Sequence, residues 1–99
     1  MKEVRRSDLF NKWLKSLRDK RAVARIDTRI DRLANGNPGD VESVGEGISE
    51  MRIHYGPGYR VYYKDTDREI IVLLCGGAKS TQQMDIAEAK KIARLYQEE

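Results

Sequence analysis

A single break in hydrophobic period constrains this sequence more than any other feature. The run Asn35-Gly36-Asn37-Pro38-Gly39-Asp40 is built of residues that supply turn conformations and stop a helix. Before it, apolar residues recur at spacings of three and four; after it they alternate, and helical spacing returns near the end. A chain with both periods in separate blocks is neither all-α nor all-β, so the pattern predicts an α+β fold. Its 99 residues suffice for one domain, residues 1–99, with one core.

The first block contains two helices. Val4 lies in a possible short strand at residues 2–6. Ser7 follows as an N-cap, with Asp8 in a first turn where the helix dipole favours an acid. Phe10, Trp13, Leu14 and Leu17 then form an apolar stripe. A second helix is predicted from Lys20 to Ala34, with Val23, Ile26, Ile30 and Leu33 on one side. Arg21, Arg25, Arg29 and Arg32 occupy the opposite side, where Asp27 and Asp31 can blunt their charge. So little separates the helices that they should pack as an antiparallel hairpin.

Past the break, Ile48 to Tyr55 alternates, with Met51 and Ile53 facing one way and Glu50, Arg52 and His54 the other. Gly56-Pro57-Gly58 makes a tight connection. Tyr59, Val61 and Tyr63 then oppose Arg60, Tyr62 and Lys64. Asp65-Thr66-Asp67-Arg68 forms the next turn. Ile70 to Cys75 is apolar without alternation, as a strand covered on both faces should be, and Gly76-Gly77 reads as its end. A last helix is predicted from Met84 to Gln97, with Ile86, Ala89, Ile92, Ala93 and Tyr96 inward. The expected order is β-α-α-β-β-β-α: a helical hairpin packed on a small antiparallel sheet, with a C-terminal helix.

Charge and composition narrow the function classes. No stretch approaches 18 consecutive apolar residues, so no membrane span is expected, and the charged N-terminus lacks the apolar region of a secretory signal. The one cysteine, Cys75, offers no internal disulfide and fits a reducing cytoplasm. Formal net charge is +3, unevenly spread: residues 1–35 carry eleven bases and five acids, 36–51 carry four acids alone, and 52–99 carry eight bases and seven acids. A basic first third suits a polyanion or an acidic partner; it also suits a solvated helical face.

No metal site is expected, because His54 is the only histidine and no Cys/His cluster has ligand spacing. No cofactor is expected either: Gly76-Gly77-Ala78-Lys79-Ser80 lacks the earlier glycine and the span of a phosphate-cradling loop. What remains is a cationic cluster. If the strands pair through Gly56-Pro57-Gly58, Arg52 and Arg60 meet on one face beside Glu50 and Tyr62, and Lys79 can reach the same edge. Arginine forks suit a crowded phosphate, and an open Tyr62 ring suits an unpaired base. Spacing alone equally allows Glu50, Arg52 and Arg60 to be a cross-strand ion-pair ladder on a wet face. His54 reads as a surface residue or as an accessory to the cluster.

Several runs resemble the RelE/ParE toxin superfamily, in its HigB-like, addiction-module killer branch. They are Trp13-Leu14 with Leu17-Arg18-Asp19, Gly45 to Ile53, Gly56-Pro57-Gly58-Tyr59-Arg60-Val61-Tyr62-Tyr63, Leu73 to Gly77, Lys79-Ser80-Thr81-Gln82 and Asp85-Ile86. The resemblance implies a cytoplasmic type II toxin held by a helix-turn-helix antitoxin, meeting operator DNA only through that complex. It implies a metal-independent, ribosome-dependent mRNA endonuclease. Arg52 and Arg60 would hold the scissile phosphate, Lys79 would serve as acid, base or charge, and Tyr62 would stack or handle a proton. Glu50 would orient Arg52. Arg21, Arg25, Arg29, Arg32, Lys90, Lys91 and Arg94 would hold ribosomal phosphates. Two alternatives belong to the same superfamily: a non-catalytic gyrase inhibitor, and a toxin-derived protein that binds only antitoxin and operator DNA.

Overall fold

A computed structural model describes residues 1–66 and 68–97. Asp67, at the centre of one expected turn, lies outside the described residues. The order is β1 (Glu3–Arg6), α1 (Asp8–Ser16), α2 (Lys20–Ala34), β2 (Val41–Gly45), β3 (Ile48–Ile53), β4 (Tyr59–Thr66), β5 (Ile70–Ala78), a short 3-10 turn (Lys79–Thr81) and α3 (Gln82–Gln97). The fold is α+β, with five strands and three helices.

Local chemistry explains the element ends. Ser7 is buried and serves twice: its Oγ accepts from the Phe10 amide at 3.0 Å and donates to the Leu74 carbonyl at 2.5 Å, capping α1 and tying it to β5. Asp19 caps α2 by accepting from the Arg21 and Ala22 amides. Gly36 and Gly39, at φ 87° and 73°, take the left-handed conformations that release the chain from α2 into the sheet.

The five strands form one sheet in the order β1-β5-β4-β3-β2. It is mixed and not purely antiparallel, because β1 pairs parallel with β5. A fourth strand precedes the three expected beyond the break: β2 pairs antiparallel with β3 as an edge strand. Its residues Val-Glu-Ser-Val-Gly are mostly exposed, and such a strand has too short an apolar alternation to be read from sequence. Two further boundaries move: β5 runs on through Gly76 and Gly77, and α3 begins at Gln82.

Both faces of the sheet are covered. Phe10, Ile26, Ile30 and Leu33 from α1 and α2 pack on Met51, Ile53, Val61 and Ile71. On the other face, Ala89 and Ala93 of α3 pack on Ile48, Tyr62, Val72 and Leu74. A bulge opposite Tyr62 and Tyr63 turns both Leu74 and Cys75 toward α3. The face of Glu50, expected to be wet, therefore lies under a helix. Gly76 and Gly77 stay inside β5 because neighbours need their bare backbone. A Cβ on Gly76 would lie 2.3 Å from the Trp13 ring, and one on Gly77 would lie 1.8 Å from Asp85 Oδ2.

Candidate functional site

Strand pairing brings the cationic cluster together. Glu50 stands opposite Tyr62, and Arg52 opposite Arg60, across the β3–β4 ladder. Glu50 is the centre: its side chain is 0% exposed and four donors divide between its two oxygens. Arg52 Nε at 3.0 Å and Arg60 Nη1 at 3.1 Å donate to Oε1. The Tyr62 hydroxyl and Gln82 Nε2, each at 3.0 Å, donate to Oε2. Arg52 also pairs through Nη2 with Glu42 on β2.

These contacts settle the charge state of the carboxyl. Burial pushes the Glu50 pKa up, but donation from Gln82, Arg52 and Tyr62 and the charge of Arg60 outweigh it, holding the group below its usual range. Two guanidinium groups and one carboxylate leave this trio at +1. Arg60 is 12% exposed and Arg52 30%, so each reaches solvent by an edge.

The remaining candidates scatter. Lys79 lies in the turn after β5, exposed, with its amide donating to the Gly58 carbonyl at 2.9 Å. Because Tyr59 pairs with Ala78 and Arg60 with Gly77, Lys79 sits at the same sheet end as the two arginines. Tyr62 is 0% exposed, so its ring has no face open to a base. Burial, then the Glu50 charge, pushes its hydroxyl pKa well up, which removes it from proton transfer near neutrality. The expectation of stacking or proton handling by Tyr62 gives way to a role in holding Glu50.

His54 belongs to another surface. Its side chain is exposed and Nε2 lies 2.5 Å from Asp40 Oδ2, a contact that holds the Asp40 carboxyl below its ordinary value. The arginine stripe of α2 is likewise divided. Arg29 is half-buried and donates to the carbonyls of Arg52 at 2.5 Å and Pro38 at 3.0 Å. Arg25 lies 4.7 Å from the centre of the Tyr55 ring. Arg21 stands near Asp19 at the start of the helix. Asp27 pairs with Arg6 at 3.6 Å instead of with the stripe. On α3, Lys90 and Arg94 pair with Glu46. That turn is four residues from Arg52 along β3, about 13 Å away. Lys91 is exposed.

Gln82 is the site residue that composition and spacing missed. It drew notice only within the run Lys79-Ser80-Thr81-Gln82; periodicity gave no sign that α3 would deliver its amide to a carboxylate on β3. Thr81 and Asp85 fix that helix start: Thr81 Oγ1 donates to Asp85 Oδ2 at 2.6 Å, and the Asp85 carbonyl accepts from Cys75 Sγ at 3.4 Å. Burial pushes the Cys75 thiol up to about 12, which makes it inert as a nucleophile. Among the described residues, no group of three or more His, Cys, Asp or Glu side chains is placed to hold a metal ion. No described helix is long and apolar enough to cross a membrane.

With the sheet and its Glu50 centre in view, comparison first gives the class. The fold is similar to the solution structure of the conserved hypothetical protein HP0894 from Helicobacter pylori, with a TM-score of 0.51 and 21% identity, covering 81% of this chain and 97% of that one. The chain belongs to the phage-derived Gp49-like protein family (DUF891), whose pattern matches residues 12–97, a family of the RelE/HigB toxin-like type. A Haemophilus influenzae relative, described only as an uncharacterized protein, is 48% identical over 92 residues, or 93% of each chain.

Proposed function

We propose that this protein is the toxin of a type II toxin–antitoxin pair, of the HigB-like branch, and that it cuts mRNA on translating ribosomes. The observation that carries the reading is the pair Arg52 and Arg60, fixed on one buried carboxylate, with the Lys79 ammonium at the same sheet end. Cleavage without metal needs the 2′-hydroxyl to attack the adjacent phosphorus and the 5′-oxygen to leave. The free edges of the two guanidinium groups neutralise the crowded phosphate, and Lys79 supplies the proton or the charge at the departing oxygen. Glu50 is a positioning residue here. It is too enclosed by donors to accept a proton from substrate, and it holds the arginines in place before RNA arrives. On this reading α1 and α2 form the family's antiparallel hairpin, and a helix-turn-helix antitoxin covers the toxin until release.

One observation favours a second reading, a non-catalytic gyrase inhibitor: both arginines already engage carboxylates, and Arg60 is only 12% exposed. Inducing the protein without antitoxin and following labelled methionine and thymidine incorporation separates the two. The cleavage reading expects methionine incorporation to fall first, with Arg60→Ala and Lys79→Ala abolishing the arrest while remaining folded. Early loss of thymidine incorporation alone supports gyrase, and no arrest at all supports a protein that binds only antitoxin and operator DNA.

A further inference from the structure

We propose that the groove between α2 and the end of β3 is a binding site for single-stranded nucleic acid, separate from the Glu50 cluster. The groove has a volume of about 400 Å³ and is lined by Arg25, Arg29, Arg32, Thr28, Ile53 and His54. Among the described residues, none of its three arginines pairs with a carboxylate. Arg29 is fixed by the carbonyls of Arg52 and Pro38, which orient it without cancelling its charge. Arg32 is exposed, one helical turn further along. This is concentrated, uncompensated positive charge with one member already immobilised, the arrangement that attracts phosphate.

A flat surface adds to the charge. Arg25 is held over the Tyr55 ring, and Tyr55 is anchored by its hydroxyl on Asp19 at 2.8 Å. A guanidinium plane backed in this way can take an unstacked base, while Arg29 and Arg32 meet the flanking phosphates. An acidic peptide would use the charges but has no flat group for Arg25, and a duplex keeps its bases hidden from it. The inference is independent of cleavage, because the groove and the Glu50 cluster lie on opposite faces. They touch through one residue: Arg52 offers its carbonyl to Arg29 and its side chain to Glu50.

The test is anisotropy of a short fluorescein-labelled RNA of mixed sequence, repeated with DNA of the same sequence, between about 50 and 200 mM salt. The full chain is compared with Arg25→Ala/Arg32→Ala and with Lys12→Ala/Lys15→Ala, which removes two exposed charges from α1. Arg29 is left in place because it ties α2 to β3. The groove variant should bind about tenfold more weakly, and its salt slope should fall by about 1.4, the value for two lost single-strand phosphate contacts. The α1 variant should stay within about twofold of wild type. Arg25→Lys, which keeps the charge and loses the plane, should weaken binding without changing the slope. Equal losses from both double variants would overturn the proposal. So would absence of binding by wild type, an unaffected Arg25→Lys, or polyglutamate competing as well as RNA, the last assigning the groove to acidic peptides.

Discussion

Arg60 and Arg25 stand at the same end of one sheet but in different surroundings. Arg60 lies under α3 against a fully buried carboxylate that it shares with Arg52, a tyrosine and a glutamine. Arg25 lies on α2 against an aromatic ring, facing an open groove with no carboxylate partner. The first arrangement spends charge to fix geometry; the second keeps its charge and fixes only part of the geometry. Chemistry on a phosphate needs donors held at set positions, and capture of a strand needs net field, so the two faces suit different halves of one task.

Removing Glu50 should separate the faces most sharply. Glu50→Leu leaves two guanidinium groups under a helix without their shared partner and should destabilise the fold by about 3–5 kcal/mol, read from urea denaturation. Stability near wild type would mean that α3 does not enclose the site. Next in size, Gly77→Ala drives a methyl group into Asp85 and displaces the start of α3 that carries Gln82. A loss of about 1–3 kcal/mol is expected, as for overpacking elsewhere. An unchanged midpoint would show that α3 shifts freely on this face.

Acid sharpens the contrast further. Glu50 has a folded pKa below its ordinary value of 4.5, so its contribution to stability is complete above that pH and is lost as pH falls through the folded value. Asp40, held low by His54, acts in the same direction. The difference between wild type and Glu50→Gln therefore isolates the buried group. The wild-type curve should fall more steeply below about pH 4.5, and parallel curves would contradict a charged Glu50. The smallest effect belongs to the groove: Arg25→Ala/Arg32→Ala should leave the denaturation midpoint unchanged, because both side chains are exposed and join no ion pair among the described residues.

The contrast between faces also marks where the sequence was legible. Ser7 as a cap, the span of α2 and the facing of Met51, Ile53, Val61 and Tyr63 all follow from local chemistry and period, because each residue's neighbours in sequence decide its conformation. The α3 face did not follow. The stripe Ile86, Ala89, Ile92 and Ala93 says that the helix has an inner side and nothing about which surface it covers, so Glu50 read as half of a wet ladder. Gly76-Gly77 read as a stop because glycine usually breaks a strand; here the missing Cβ atoms admit Trp13 and Asp85, contacts distant or hidden in sequence. The arginine stripe was legible as a period, but its division into a strut at Arg29, a ring contact at Arg25 and an open charge at Arg32 depends on tertiary neighbours.

The central claim is that the α3 face carries out the cleavage. The most direct measurement maps mRNA ends after purified protein is added to translating ribosomes and, separately, to the same RNA alone. Wild type and Arg25→Ala/Arg32→Ala, at saturating protein, should cut the translated message and spare free RNA, and Arg60→Ala and Lys79→Ala should cut neither. Cleavage by Arg60→Ala and Lys79→Ala at the wild-type rate would contradict the account, as would a wild-type protein that leaves translated mRNA whole.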